Sequence, residues 1–184
     1  RLAGGGRGPA KARSGPSGAE PERAARFHRD VHRRRYVVLH TALREILAAA
    51  LGTAPEAVAF ELGPHGKPSL PAGAGLHFNL SDTEGLALIA LSATGPLGID
   101  VERHRADRSL SDVAERFFSR AEVRALQALE PGQRTAAFFR IWTRKEAYVK
   151  ALGAGLALGL ETFDVSLEPG AAARLVATRP DPEE

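Results

Sequence analysis

Trp142-Thr143-Arg144-Lys145-Glu146-Ala147-Tyr148-Val149-Lys150 lies inside a run from Pro131-Gly132 to about Leu152 that reads as one helix, closed by Gly153. On such a helix Glu146 and Lys150 are i,i+4 neighbours, with Trp142 one turn earlier on the same stripe. An exposed pair of this kind is worth only about 0.2–0.5 kcal/mol. Two facts set this one apart. The chain has four lysines, Lys11, Lys67, Lys145 and Lys150, and two of them fall in this turn beside the only tryptophan. A carboxylate and an ammonium on a half-buried stripe suit phosphoryl chemistry, one as metal ligand or base, the other as charge clamp.

Outward from this run, residues 110–152 read as three helices, and Ser119-Arg120-Ala121-Glu122 has the form of a capping box opening the second. Downstream, Gly153, Gly155 and Gly159 break the chain before two closing strands, Phe163–Leu167 and Arg174–Ala177. Upstream lie three short apolar runs, Leu76–Leu80, Leu86–Ser92 and Leu97–Val101; Ala93-Thr94-Gly95-Pro96 joins the last two and predicts a hairpin there. Earlier still, Val58–Leu62 reads as a strand entering the turn Gly63-Pro64-His65-Gly66-Lys67-Pro68. From Glu20 to about Gly52 the spacing of Tyr36, Leu39, Leu43, Leu47 and Ala50 predicts an amphipathic helix. This order predicts an α+β fold in two halves, 20–96 and 97–184, behind a disordered basic segment at 1–19.

The chain has 184 residues, 43% of them hydrophobic, enough for a packed core and too many for disorder throughout. No stretch approaches the roughly 20 apolar residues that cross a bilayer, and no secretory h-region is visible, so the expected place is the cytoplasm. Without cysteine, disulfide scaffolds, zinc ribbons and thiol nucleophiles are excluded. The chain begins at Arg1 and has no methionine, which points to trimming from a longer product. Charge is uneven. Residues 1–35 carry a net +7 and the remainder a net −4, so the overall +3 describes one end more than the fold. An arginine-rich end favours phosphate-bearing partners.

Gly98-Ile99-Asp100-Val101-Glu102 places two carboxylates on one face at the exit of an apolar strand. A hard divalent cation takes such a pair, because Mg²⁺ binds one or two carboxylates, keeps waters and completes its shell with substrate phosphate. A strand end entering solvent carries the same pattern without any function. Gly66-Lys67-Pro68 presents a lysine on a rigid turn, and Phe78-Asn79-Leu80-Ser81-Asp82 offers amide and hydroxyl groups at a strand end.

Taken in order, Gly66-Lys67-Pro68, Phe78-Asn79-Leu80-Ser81, Gly98-Ile99-Asp100-Val101-Glu102, Phe117-Phe118-Ser119-Arg120-Ala121-Glu122 and Trp142–Lys150 closely resemble the 4′-phosphopantetheinyl transferase superfamily, in its Sfp-type, single-chain, two-half branch. The resemblance covers roughly residues 20–167. It implies two similar α/β halves related by a pseudo-twofold axis, antiparallel sheets packed by helices, and a ligand cleft between the halves. It also implies Mg²⁺-dependent transfer of the phosphopantetheine arm of coenzyme A to a serine of an acyl or peptidyl carrier protein, releasing 3′,5′-ADP. By the same resemblance Asp100, Glu102 and Glu146 are the metal-site acids, with Glu146 also helping to deprotonate the serine. Lys150 and Lys145 hold the pyrophosphate, and Lys67 and Ser81 hold other coenzyme A phosphates. Arg35 matches the family's N-terminal basic position. The expected partners are coenzyme A and a carrier protein, with no nucleic acid or membrane, and the expected state is a monomer.

The sequence departs from the family at three places. Asp82 stands where the family has a phosphate-contacting histidine, no opening strand precedes the first helix, and the C-terminal strands are short. A catalytically weak module that binds coenzyme A or a carrier protein is therefore the alternative reading. A nucleic-acid binder is disfavoured, because residues 1–35 contain Phe27 as their only Phe or Trp for base stacking.

Overall fold

The computed structural model describes residues 20–105 and 109–179. The expected disorder of 1–19 lies outside these residues. The described chain is α+β with small antiparallel sheets, as the sequence predicts. The described chain forms two compact units that part between Phe60 and Glu61.

In the first unit the single long helix expected from Glu20 is two, α1 (Glu20–Ala25) and α2 (Asp30–Leu51). The reason is a buried carboxylate. Glu20 accepts from Arg44 Nε at 2.6 Å and lies 2.8 Å from His40 Nδ1, which folds α1 back along α2. Arg44 in turn donates to the Val58 and Pro55 carbonyls, at 2.7 and 3.1 Å, and stacks over Phe60. Leu39, Leu43 and Leu47 are buried as the helical spacing predicts, with Ala48 buried beside them, whereas Tyr36 is half-buried and Ala50 is exposed.

The second unit opens with a two-residue pairing of β1 (Glu61–Leu62) with β2 (Pro68–Ser69), so the expected strand from Val58 is shorter and later. The main hairpin joins β3 (His77–Thr83) to β4 (Leu86–Ser92), from His77 opposite Ser92 to Thr83 opposite Leu86. Here the sequence reading needs correcting. Leu86–Ser92 pairs backward with 77–83 rather than forward with 97–101, because polar Ser81-Asp82-Thr83 extend the strand instead of ending it. Residues 97–101 belong to no backbone ladder among the described residues.

Helices α3 (Leu110–Phe117), α4 (Arg120–Gln127) and α5 (Pro131–Leu152) follow as expected. Ser119 and Glu122 form the capping box, with Glu122 N donating to Ser119 Oγ and Ser119 N to Glu122 Oε2. Pro131 starts α5, where its missing N–H costs nothing, and Gly153 ends it at φ 69°. Strands β5 (Phe163–Val165) and β6 (Leu175–Thr178) pair beside α5. The core gathers Phe118, Leu126, Phe138, Phe139, Ile141, Val149, Phe163 and Val165 between these helices and β5. Among the described residues no helix is long and apolar enough to cross a membrane.

Candidate active site

Helix α5 turns two faces to different tasks. One buries Ile141, Lys145 and Val149; the other carries Trp142, Glu146 and Lys150 along a cleft of about 350 Å³. Leu80, Ser81, Asp82, Asp100 and Glu102 line the rest of it. Two carboxylates of the 98–102 segment are thus brought to the helix residue Glu146, 46 positions later in the chain.

Gly98 makes this approach possible. A Cβ there would stand 1.8 Å from the Ala147 carbonyl oxygen and 2.5 Å from Ala151 N, so the segment touches the helix backbone directly. Past that contact, Asp100 Oδ1 receives Lys150 Nζ at 2.6 Å and the Ser81 hydroxyl at 2.8 Å. Lys150 Nζ also reaches Ser81 Oγ at 3.1 Å and the Ile99 carbonyl at 3.4 Å. The Ser81 hydroxyl proton is committed to Asp100, and its oxygen accepts from Val101 N at 3.2 Å.

Burial pushes the Glu146 carboxyl above its usual range. The neighbouring Asp100 charge adds to the rise, Lys150 opposes it, and Glu102 contributes a smaller push upward. The cleft therefore holds excess negative charge beside one ammonium.

The residues fit Mg²⁺ by their donor chemistry. Asp100 Oδ2 is buried without a hydrogen-bond partner while Oδ1 is fully engaged, and Glu102 and Glu146 open into the same cleft. No three carboxylate or imidazole groups among the described residues enclose a cation by themselves. That suits an ion which keeps waters and borrows phosphate oxygens from its substrate.

Two lysines assigned to phosphate by resemblance, Lys145 and Lys67, sit apart from this cleft. Lys145 is completely buried, paired with Glu122 Oε2 at 2.8 Å and donating to the carbonyls of Leu160 and Phe163. It ties α5 to the capping box of α4 and to β5, and burial lowers its pKa. Lys67 donates to the carbonyls of Leu97 and Ala151, each at 3.3 Å, and to that of Lys150, capping the C-terminus of α5. Burial lowers its pKa too. Arg35 lies half-buried on α2, in the first unit.

The sequence places Glu122 in a capping box and the Asn79 amide at a strand end, but shows neither the pairing of Glu122 with Lys145 nor the amides that Asn79 and Thr83 accept. The alternation Asn79-x-Ser81-x-Thr83 is the signal for the latter, since residues two apart on a strand share a face.

An α+β unit here brings Asp100, Glu102, Glu146 and Lys150 to one cleft along one long helix. The comparisons with known proteins supply the family. The family model of the 4′-phosphopantetheinyl transferase superfamily matches residues 96–183. The chain is 43% identical over 162 residues to the 4′-phosphopantetheinyl transferase HetI of Nostoc sp., covering 86% of this chain and 68% of that protein. It is 34% identical over 152 residues to a 4′-phosphopantetheinyl transferase of Bacillus subtilis (83% and 66% covered). To the transferase Sfp of Bacillus subtilis strain 168 it is 31% identical over 146 residues, with 79% and 64% covered. The chain thus belongs to the 4′-phosphopantetheinyl transferase superfamily, and it spans about two thirds of the length of these relatives.

Proposed function

We propose that this protein transfers the 4′-phosphopantetheine group of coenzyme A to a serine hydroxyl of an acyl or peptidyl carrier protein, releasing 3′,5′-ADP. The observation that carries this reading is the convergence of Asp100, Glu102, Glu146 and Lys150 on one cleft, in a chain of this superfamily. The serine oxygen forms a bond to the phosphorus that bears pantetheine, and the bond from that phosphorus to the bridging oxygen of the pyrophosphate breaks. The bridging oxygen leaves with 3′,5′-ADP, and the serine proton goes to Glu146, directly or through water. A carboxylate raised by burial and by its acidic neighbours is a stronger base than an ordinary glutamate.

Asp100, Glu102 and Glu146 would hold Mg²⁺, which when bound neutralises charge on the pyrophosphate. Lys150 stands where it can meet the negative charge building on the departing 5′-phosphate of 3′,5′-ADP, exchanging part of its contact with Asp100 for a phosphate oxygen. Trp142, packed on Phe117, Phe118 and Phe138, forms a fixed wall that keeps the Glu146 stripe half-dry. Asp82 is exposed at the cleft and, where the family has a phosphate-contacting histidine, an ionised aspartate offers acceptors and no donor. This favours the second reading, a module that binds coenzyme A or a carrier protein with little turnover.

Incubation with coenzyme A, Mg²⁺ and apo carrier proteins decides between the two. Mass spectrometry should find the carrier heavier by one phosphopantetheine group, and unmodified when its serine is replaced by alanine. Lys150→Ala and Glu146→Gln should each slow the transfer about a hundredfold or more. Binding of coenzyme A with no mass gain on any carrier would establish the second reading instead.

A further inference from the structure

The segment that carries the two acids is held unusually. Among the described residues no backbone–backbone hydrogen bond reaches residues 97–103. Their alternate amides go instead to side chains of β3. Ile99 N donates to Asn79 Oδ1 at 2.9 Å, Val101 N to Ser81 Oγ at 3.2 Å, and Arg103 N to Thr83 Oγ1 at 3.3 Å. Each donor lies twenty residues after its acceptor, so the segment runs parallel to β3 in one register, over a face of the hairpin rather than at its edge. Asn79 and Ser81 are both 7% exposed, which shelters the first two bonds from water.

We propose that Asn79 and Thr83 are positioning residues. With Ser81 they form a side-chain ladder that sets the register of Asp100 and Glu102 over the helix carrying Glu146 and Lys150. The physical reason is the two-residue period of a strand. A slip by one residue would turn both carboxylates away from α5, and an apolar hairpin face would leave the three amides unpaired. Asn79 and Thr83 do not line the cleft, so their effect on chemistry passes through the segment. The catalytic consequence rests on the transferase reading above; the ladder itself does not.

Residue-resolved amide exchange of the whole chain, alongside steady-state transfer kinetics, tests both parts. Asn79→Ala should speed exchange at the Ile99 amide about tenfold or more, and Thr83→Val should do so at Arg103, each leaving the α5 amides unchanged. Both variants should lower kcat about tenfold while KM for coenzyme A stays within about twofold, and Thr83→Ser, which keeps the hydroxyl, should restore both readouts. Should Asn79→Ala fail to fold, the Thr83 pair carries the test. Unchanged exchange at Arg103 in Thr83→Val would overturn the ladder. Faster exchange with unaltered kcat would overturn the positioning role. A wild-type chain that transfers nothing would overturn the transferase reading and its kinetic consequence, and exchange would still decide the ladder.

Discussion

Glu146 shows how one residue's surroundings set its chemistry. Its carboxyl is raised above the ordinary 4.5 by burial and then by Asp100, with Lys150 pulling it back. In the metal-free protein, NMR of the Glu146 side-chain carboxyl should show it titrating above the usual carboxylate range. Asp100→Asn should move that titration to lower pH, and Lys150→Met should move it higher. A titration indifferent to both would show that these neighbours do not set the charge state of Glu146. Stability follows the same shift with a definite sign. The folded carboxyl binds its proton more tightly than the unfolded one, so stability falls as pH rises from 4.5 through the raised value. Glu146→Gln, neutral at every pH, should therefore melt above the wild type at pH 7 and show no such advantage at pH 3.

At the scale of elements, two contacts decide where α5 places its stripe. The first is the direct approach of Gly98 to the Ala147 and Ala151 backbone. Gly98→Ala must separate the segment from the helix, at a cost of about 3 kcal/mol or more, because neither partner is a flexible side-chain end. A variant with wild-type melting and turnover would show that the contact is not needed. The second is the buried Lys145–Glu122 pair, which joins α5 to α4 while Glu122 Oε1 accepts from Val165 N at 2.9 Å. Lys145→Met leaves a buried carboxylate short of its partner and should cost about 3–5 kcal/mol. The double change Lys145→Met with Glu122→Gln should recover part of that loss, measured by urea unfolding. If Lys145 instead held substrate phosphate, the single change would raise KM and leave stability alone.

At the scale of the whole molecule, the main hydrophobic core cluster lies in the second unit, with the inner face of α5 at its centre. Ile141 has no solvent exposure and packs among Phe138, Phe139 and Val149. Ile141→Ala should cost about 2–5 kcal/mol, a large share of the 5–15 kcal/mol typical of a domain. Val176→Ser, on a strand residue 63% exposed, should change the urea midpoint little. Equal effects from the two would mean that the buried face of α5 is not the centre of the core.

The three C-terminal helices, the capping box at Ser119, the closing strands and the stripe Trp142–Glu146–Lys150 are all legible in the sequence, because each depends on spacing within a few residues. The same local logic marked Asp100 and Glu102 as two carboxylates on one face. What the sequence could not reveal is partnership across distance. Lys145 and Lys150 look alike on paper, five residues apart, yet one is sealed in the core against Glu122 and the other opens on the cleft with Asp100. Lys67 reads as a phosphate ligand on a presenting turn and in the structure caps a helix end 83 residues later. The hairpin escapes the sequence for the same reason: polar Ser81 and Asp82 read as a strand's end, and only the docking of residues 97–103 shows what the Ser81 and Thr83 hydroxyls accept. Period and capping are local and written in order along the chain. Burial, and with it the choice of ion-pair partner and the charge state of Glu146, belongs to surfaces that exist only once the segments have packed.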